Sequence, residues 1–166
     1  MADCQSLPCI WSYAYTPIYQ VEVDQSGKIE DTRVATVVAF SNGIHRAVLI
    51  PAQVKRECIT ALRASGKATP TVIAHIFAAA LYLLLKDHIQ DIALAVIDVE
   101  YVGHGQEIKQ HLLNLLRRGG HPVTADQISL QHIGKKSPAH LLAIDTLRGR
   151  RLPDKRVTLE ELLTEV

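Results

Sequence analysis

Residues 72–85 form a run of 14 positions that are apolar except for His75. A helix that crosses a bilayer needs about 20 such residues, so the run predicts a helix buried in a protein core. A helix that is apolar all round must be enclosed on every side, and that takes a chain able to build layers around it. The chain has 166 residues, of which 48% are hydrophobic and 21% charged. This is the composition of one globular domain and excludes a disordered chain. The alternative to an internal position is a homodimer formed through this helix.

The elements around the run follow from periodicity and turn chemistry. Residues 1–16 read as an irregular N-terminal arm holding Trp11, Tyr13 and Tyr15. Residues 18–24 alternate, with Tyr19, Val21 and Val23 on one face and Gln20, Glu22 and Asp24 on the other, as in a half-exposed strand. Residues 34–40 and 44–50 are rich in β-branched side chains and flank Ser41-Asn42-Gly43, a hairpin signal. Pro51 opens a helix to about residue 65, and Pro70 opens the apolar helix. Residues 92–101 are an almost continuous apolar run, as expected for a central strand buried on both faces. A helix over 106–118, a strand over 128–133 and a helix begun by Ser137-Pro138 follow. Residues 150–166 read as a charged tail with a short helix after Thr158. The order predicts a single α/β domain over 1–166: three layers, with a mixed five-stranded sheet made of an antiparallel meander and then βαβ crossovers, and helices on both faces.

Charge and cysteine content exclude several classes. Lys and Arg (18) nearly balance Asp and Glu (17), so a nucleic-acid surface must be local. Residues 133–156 supply one: Lys135, Lys136, Arg148, Arg150, Arg151, Lys155 and Arg156 stand against Asp145 and Asp154, a net +5 in a chain of net +1. Three cysteines, an odd number, and no secretory signal predict a cytoplasmic protein without a disulfide framework or a membrane partner. No P-loop, dinucleotide fingerprint or nucleophile elbow is present. His104, Glu107 and His111 share a helical stripe that is expected to face solvent, and His75 is expected to be a core histidine.

The chemistry expected at the strand ends is carboxylate chemistry. Asp24 closes the first strand. Asp98 and Glu100, two apart, share a face at the end of the central strand. An Asp inside an apolar strand is costly unless paired, hydrogen-bonded or metal-bound. If the two strands are neighbours, Asp24 and Asp98 converge, and oxygen ligands of this kind favour Mg²⁺ or Mn²⁺. Hydrogen bonding to backbone amides is the other solution.

The element order and four short motifs resemble the ribonuclease H-like superfamily. QVEVDQSG (20–27) looks like its first-strand motif and KRECITAL (55–62) like its first-helix segment. VIDVEYV (96–102) is similar to its central strand, and KKSPAHLLAIDTL (135–147) sits where the family places its last ligand. The resemblance covers about residues 17–150. It implies a nuclease that cleaves phosphodiester bonds of RNA, DNA or a hybrid. Asp24 and Asp98 would bridge two metal ions, with Glu57 as third ligand and His140 or Asp145 as the last. The helix at 70–87 intervenes between Glu57 and Asp98, where ribonuclease H passes almost directly into the strand; if it is the true counterpart of the first helix, Glu100 replaces Glu57. His140 and Asp145 lie five residues apart, about 140° around a helix. His140 is preferred, being in the first turn after Ser137; related RuvC-type resolvases place a His or an Asp in this helix. Lys135, Lys136, Arg148, Arg150 and Arg151 would hold nucleic-acid phosphates. The rival expectation is an inactive ribonuclease H-like module that binds nucleic acid or protein.

Overall fold

The computed structural model describes residues 16–166, and the arm with Trp11, Tyr13 and Tyr15 lies outside them but for Thr16. The chain folds as an α/β domain with six strands, β1 (Tyr19–Ser26), β2 (Thr36–Ser41), β3 (Arg46–Ile50), β4 (Ile92–Asp98), β5 (Ile128–Gln131) and β6 (Lys155–Arg156). The helices are α1 (Ala52–Ala64), α2 (Thr69–Leu85), α3 (Gly105–Arg118), α4 (Pro138–Leu147) and α5 (Leu159–Glu165). The sheet order is β5-β4-β1-β2-β3-β6. β2 runs antiparallel to β1 and β3, and the other pairings are parallel.

The meander forms where its turn residues require it. Asn42 and Gly43 both take positive φ (113° and 86°) in the short connection 42–45 between β2 and β3, a backbone region that Asn and Gly adopt most readily. Gly27, at the other end of β1, has φ +75°, and a Cβ there would lie 2.3 Å from the Ala35 carbonyl oxygen. Only glycine fits that turn.

The apolar helix is internal. Thirteen of the 17 residues of α2 are buried, packed among α1, α3, α5 and the β2–β3 face of the sheet. The chain itself encloses the apolar run at 72–85 in its own core. α1, α3 and α5 feed the same core through Cys58, Leu112 and Leu162, and Val21, Val23, Ala95 and Ile97 reach it from the sheet. On the opposite face α4 alone packs over β1, β2 and β3, closing a small cluster of Val37, Ala39, Ala47, Leu142 and Ala143. Helices on both faces make three layers.

Two expectations are corrected. The sheet has six strands, not five, because the tail at 150–166 docks. Lys155–Arg156 pairs with β3, Asp154 Oδ2 accepts from the Ala47 N–H at 2.7 Å, and Val157 and Leu162 are buried. A two-residue edge strand of basic side chains carries no alternation by which it could be recognised. The stripe on α3 is half-buried rather than free in solvent. His111 stacks on His75 of α2 with ring centroids 4.3 Å apart, and Glu107 lies 3.4 Å from His75 and 2.9 Å from His104. The three-residue spacing is helical in either case; only the packing of α3 on α2 decides which face turns inward.

Lys55 is fully buried beneath α1. Its Nζ donates to the carbonyls of Lys28 (2.8 Å) and Asp31 (2.7 Å) and to Thr36 Oγ1 (2.9 Å), tying the β1–β2 connection to the helix. Lys55→Met refills the volume but leaves three acceptors without a donor. The expected loss is about 3 kcal/mol of unfolding free energy, read from the midpoint of a urea melt with unchanged slope.

Candidate metal centre

β1 and β4 run in parallel with Val23 opposite Ile97, so the next residues, Asp24 and Asp98, lie side by side. Side chains alternate along a strand. Val23 and Ile97 enter the core under α2, which turns both aspartates to the α4 face. Glu100, two residues past Asp98, completes a triad in which one oxygen of each carboxylate lies within 4.8 Å of the others. The two strands that carry the triad meet where the α4 layer ends, because α4 packs over the meander.

The chain pins each aspartate by one oxygen. The Gln25 N–H donates to Asp24 Oδ1 at 2.6 Å, and the Ile133 N–H donates to Asp98 Oδ1 at 2.6 Å. His140 in the first turn of α4 places Nδ1 2.7 Å from Asp24 Oδ2. Ser137, the N-cap of α4, accepts from the Ala139 N–H at 3.2 Å and donates its hydroxyl proton to Glu22 Oε2. Residues 132–137 are therefore anchored at both ends, on Asp98 through Ile133 and on Glu22 through Ser137. Glu22 and Ser137 brace the site without having been singled out for it. Their signal was the two-residue spacing of Glu22 from Asp24 and the N-cap at Ser137, but their meeting depends on where this loop crosses the sheet.

The electrostatics are those of crowded acids. Asp24 is 5% exposed. Burial raises its pKa above the usual carboxylate value, and the Asp98 charge adds to that, against the opposing bonds from Gln25 and His140. Glu100 is raised by burial and then by the charges of Asp98 and Asp24. Three converging carboxylates are a hard-oxygen donor set, and a divalent cation offsets the mutual repulsion that adds to burial in raising Asp24 and Glu100.

The other candidates are placed elsewhere. Glu57 is exposed on α1, where Oε1 accepts from Gln53 Nε2 at 2.8 Å. Lys55 and Cys58 take the buried positions of that helix, so its phase turns Glu57 to solvent and away from the triad. Asp145 pairs with Arg150 at 3.2 Å and lines a separate cleft. Between the two alternatives in α4, His140 is the residue brought to Asp24. Lys135 and Lys136 are exposed in the loop anchored on Asp98 and Glu22, whereas Arg148, Arg150 and Arg151 follow the end of α4. The basic residues thus form two groups.

Asp98→Asn separates a structural from a metal-holding role. An amide oxygen still accepts from Ile133, and the repulsion with Asp24 and Glu100 is gone. The metal-free variant should melt at or above the wild-type temperature and lose any stabilisation by Mn²⁺. A melting point several degrees lower, with Mn²⁺ stabilisation retained, would show Asp98 to be purely structural.

In comparisons with known proteins, no family model, no curated protein and no solved structure matches the chain.

Proposed function

We propose that the protein is a Mg²⁺- or Mn²⁺-dependent nuclease of ribonuclease H-like fold that cleaves phosphodiester bonds in nucleic acid. The observation that carries the reading is the convergence of Asp24, Asp98 and Glu100 on one side of two adjacent parallel strands, with His140 on Asp24. The meander followed by two parallel crossovers, with α4, the helix after β5, bringing a histidine to the first-strand aspartate, supports the fold assignment. Among the described residues no helix is long and apolar enough to cross a membrane.

Asp24, Asp98 and Glu100 would hold the cation, which supplies charge neutralisation at the phosphodiester and activation of water when bound. The protein's own part is positioning. The Gln25 and Ile133 N–H groups fix one oxygen of each aspartate, which limits the rotation of both carboxylates. Glu22 and Ser137 fix the start of α4, and so the height of His140 over the sheet. His140 Nδ1 stands in hydrogen-bond contact with Asp24 Oδ2. Lys135 and Lys136, carried on the loop that ends at this site, offer cations to the phosphates of a bound strand. Phosphoryl chemistry asks for little beyond such positioning and charge.

The test is thermal melting with Mg²⁺ or Mn²⁺, beside a cleavage assay on RNA, DNA and hybrid. At a hundredfold excess over Kd, binding contributes about 2.7 kcal/mol, an upward shift on the order of 5–10 °C for a chain of this size. An unchanged melting point at millimolar metal, with no cleavage, leaves a module that binds without cutting. The pH dependence has a definite sign. Asp24 and Glu100 titrate above their ordinary values of 3.8 and 4.5. Between the ordinary and the raised pKa the folded state binds more protons than the unfolded one. Their contribution to metal-free stability therefore falls as pH rises through that window. Protons compete with the cation for the same oxygens, so Mn²⁺ stabilisation should shrink as pH falls through the window. Melts on a pH series with and without Mn²⁺ measure both trends.

A further inference from the structure

α2 and α3 meet over a pair of imidazoles. His75 of α2 and His111 of α3 lie with ring planes 6° from parallel and centroids 4.3 Å apart. Both residues are half-buried. Each ring holds one nitrogen that is buried without a hydrogen-bond partner, Nδ1 of His75 and Nε2 of His111. The other side of each ring is engaged. Glu107 Oε1 stands 3.4 Å from His75 Nε2, and the backbone of Glu165, the last residue of α5, hydrogen-bonds His111. The stack therefore joins α2, α3 and α5.

This arrangement suits neutral rings. Carboxylate and carbonyl partners accept protons, so the single proton of each neutral ring sits on its engaged side. The orphan nitrogens are then bare lone pairs. A second proton would make each of them a charged N–H with no acceptor, which costs more than an unmet lone pair, and two cations face to face repel. The surrounding charges do not offset this. Glu107 favours a cation on His75 but is shared with His104, 2.9 Å away. Lys67, before α2, disfavours a charge on either ring, and Arg118, at the end of α3 and paired with Glu165, disfavours one on His111. The element with least to hold it is α5, seven residues with only Leu162 fully buried, and weakly packed segments open at lower cost than the core.

We propose that the His75–His111 stack is an acid-released latch: neutral imidazoles hold α3 and α5 on α2, and their protonation frees α5 from the core. The device goes beyond the nuclease reading and needs neither metal nor nucleic acid. Burial, first among the causes, holds both rings below the ordinary imidazole value of 6.5. The folded state then binds fewer protons than the opened one, so the latch is intact above that value and weakens as pH falls below it. Asp24 and Glu100 act with the opposite sign, because raised carboxylates favour the folded state as pH falls, so they do not produce such an opening.

The test is hydrogen exchange of the full chain in metal-free buffer at about pH 7.5 and about pH 5.5, with times scaled for the intrinsic pH dependence. Amides of residues 159–165 should open more at the lower pH, by up to about tenfold for each imidazole protonated on opening, while those of β1 and β4 keep their protection. His75→Phe and His111→Phe keep a stacked ring without its titrating nitrogens, and each should reduce the pH response of α5, whatever its protection at neutral pH. His88, also lowered by burial and set against Arg46, stays in every protein. An opening that survives both substitutions would therefore assign it elsewhere and overturn the latch. If neither variant folds, the wild type decides by NMR. Both ring protons should titrate with the same midpoint as the Leu162 methyl groups, and titration of the rings with Leu162 unmoved would overturn the proposal. Unchanged protection of α5 at the lower pH would do so as well.

Discussion

Enclosure of α2 is the constraint on which the rest of the structure depends. A helix apolar around its whole circumference has no solvent-facing side, so the sheet must lie beneath it and other helices must flank it. α1, α3 and α5 do this, and the docking of the tail is part of the same requirement, because α5 contributes Leu162 to the core that α2 fills. The sheet is therefore covered heavily on one face. On the other face a single helix of ten residues, α4, packs over the meander. This asymmetry is what lets carboxylates survive on β1 and β4. Their neighbours in sequence, Val23 and Ile97, are locked into the heavy side, and the period of two along each strand delivers Asp24 and Asp98 to the light side.

Much of this was legible in the sequence because it depends on local pattern. The Asn42-Gly43 hairpin, the alternation of β1, the buried run of α2 and the Pro-initiated helices are each written within ten or so residues. The convergence of Asp24 and Asp98 needed one further assumption, that β1 and β4 are neighbours, and meander-then-crossover topology makes that assumption natural. What was not legible depends on phase or on long-range docking. Whether Glu57 or Lys55 faces inward is a rotation of about 200° on one helix, and a lysine with three oxygen acceptors took the inward position against the expectation from side-chain type. β6 is an edge pairing of two basic residues brought into register by Asp154 against Ala47 and Val157 against Leu49. The Glu22–Ser137 brace joins residues 115 positions apart through a loop with no periodicity to read.

The site is paid for in electrostatic terms on the face where the fold has least packing. Asp24 loses solvation on burial, and the Asp98 charge beside it adds to the cost. Its opposing contacts are one backbone N–H and one imidazole. Such an arrangement is tolerated because the stabilising core is on the other side of the sheet, under α2, where no charge of the site intrudes. Carboxylate chemistry can change on the α4 face without disturbing the packing that holds the strands in register.

The two anchors of residues 132–137 carry this argument one step further. Ile133 bonds Asp98 and Ser137 bonds Glu22, so the loop bridges β4 to β1 across the very pair whose charges repel. Each anchor is a hydrogen bond donated to a carboxylate oxygen. Each spends one acid's lone pairs on the protein and leaves fewer oxygens free. The loop thus selects which oxygens point outward while it sets the start of α4, and with it the height of His140. Site geometry and helix placement are consequently a single structural event. A change that frees the loop from Asp98 would also move the histidine at Asp24, although no contact joins the two residues directly.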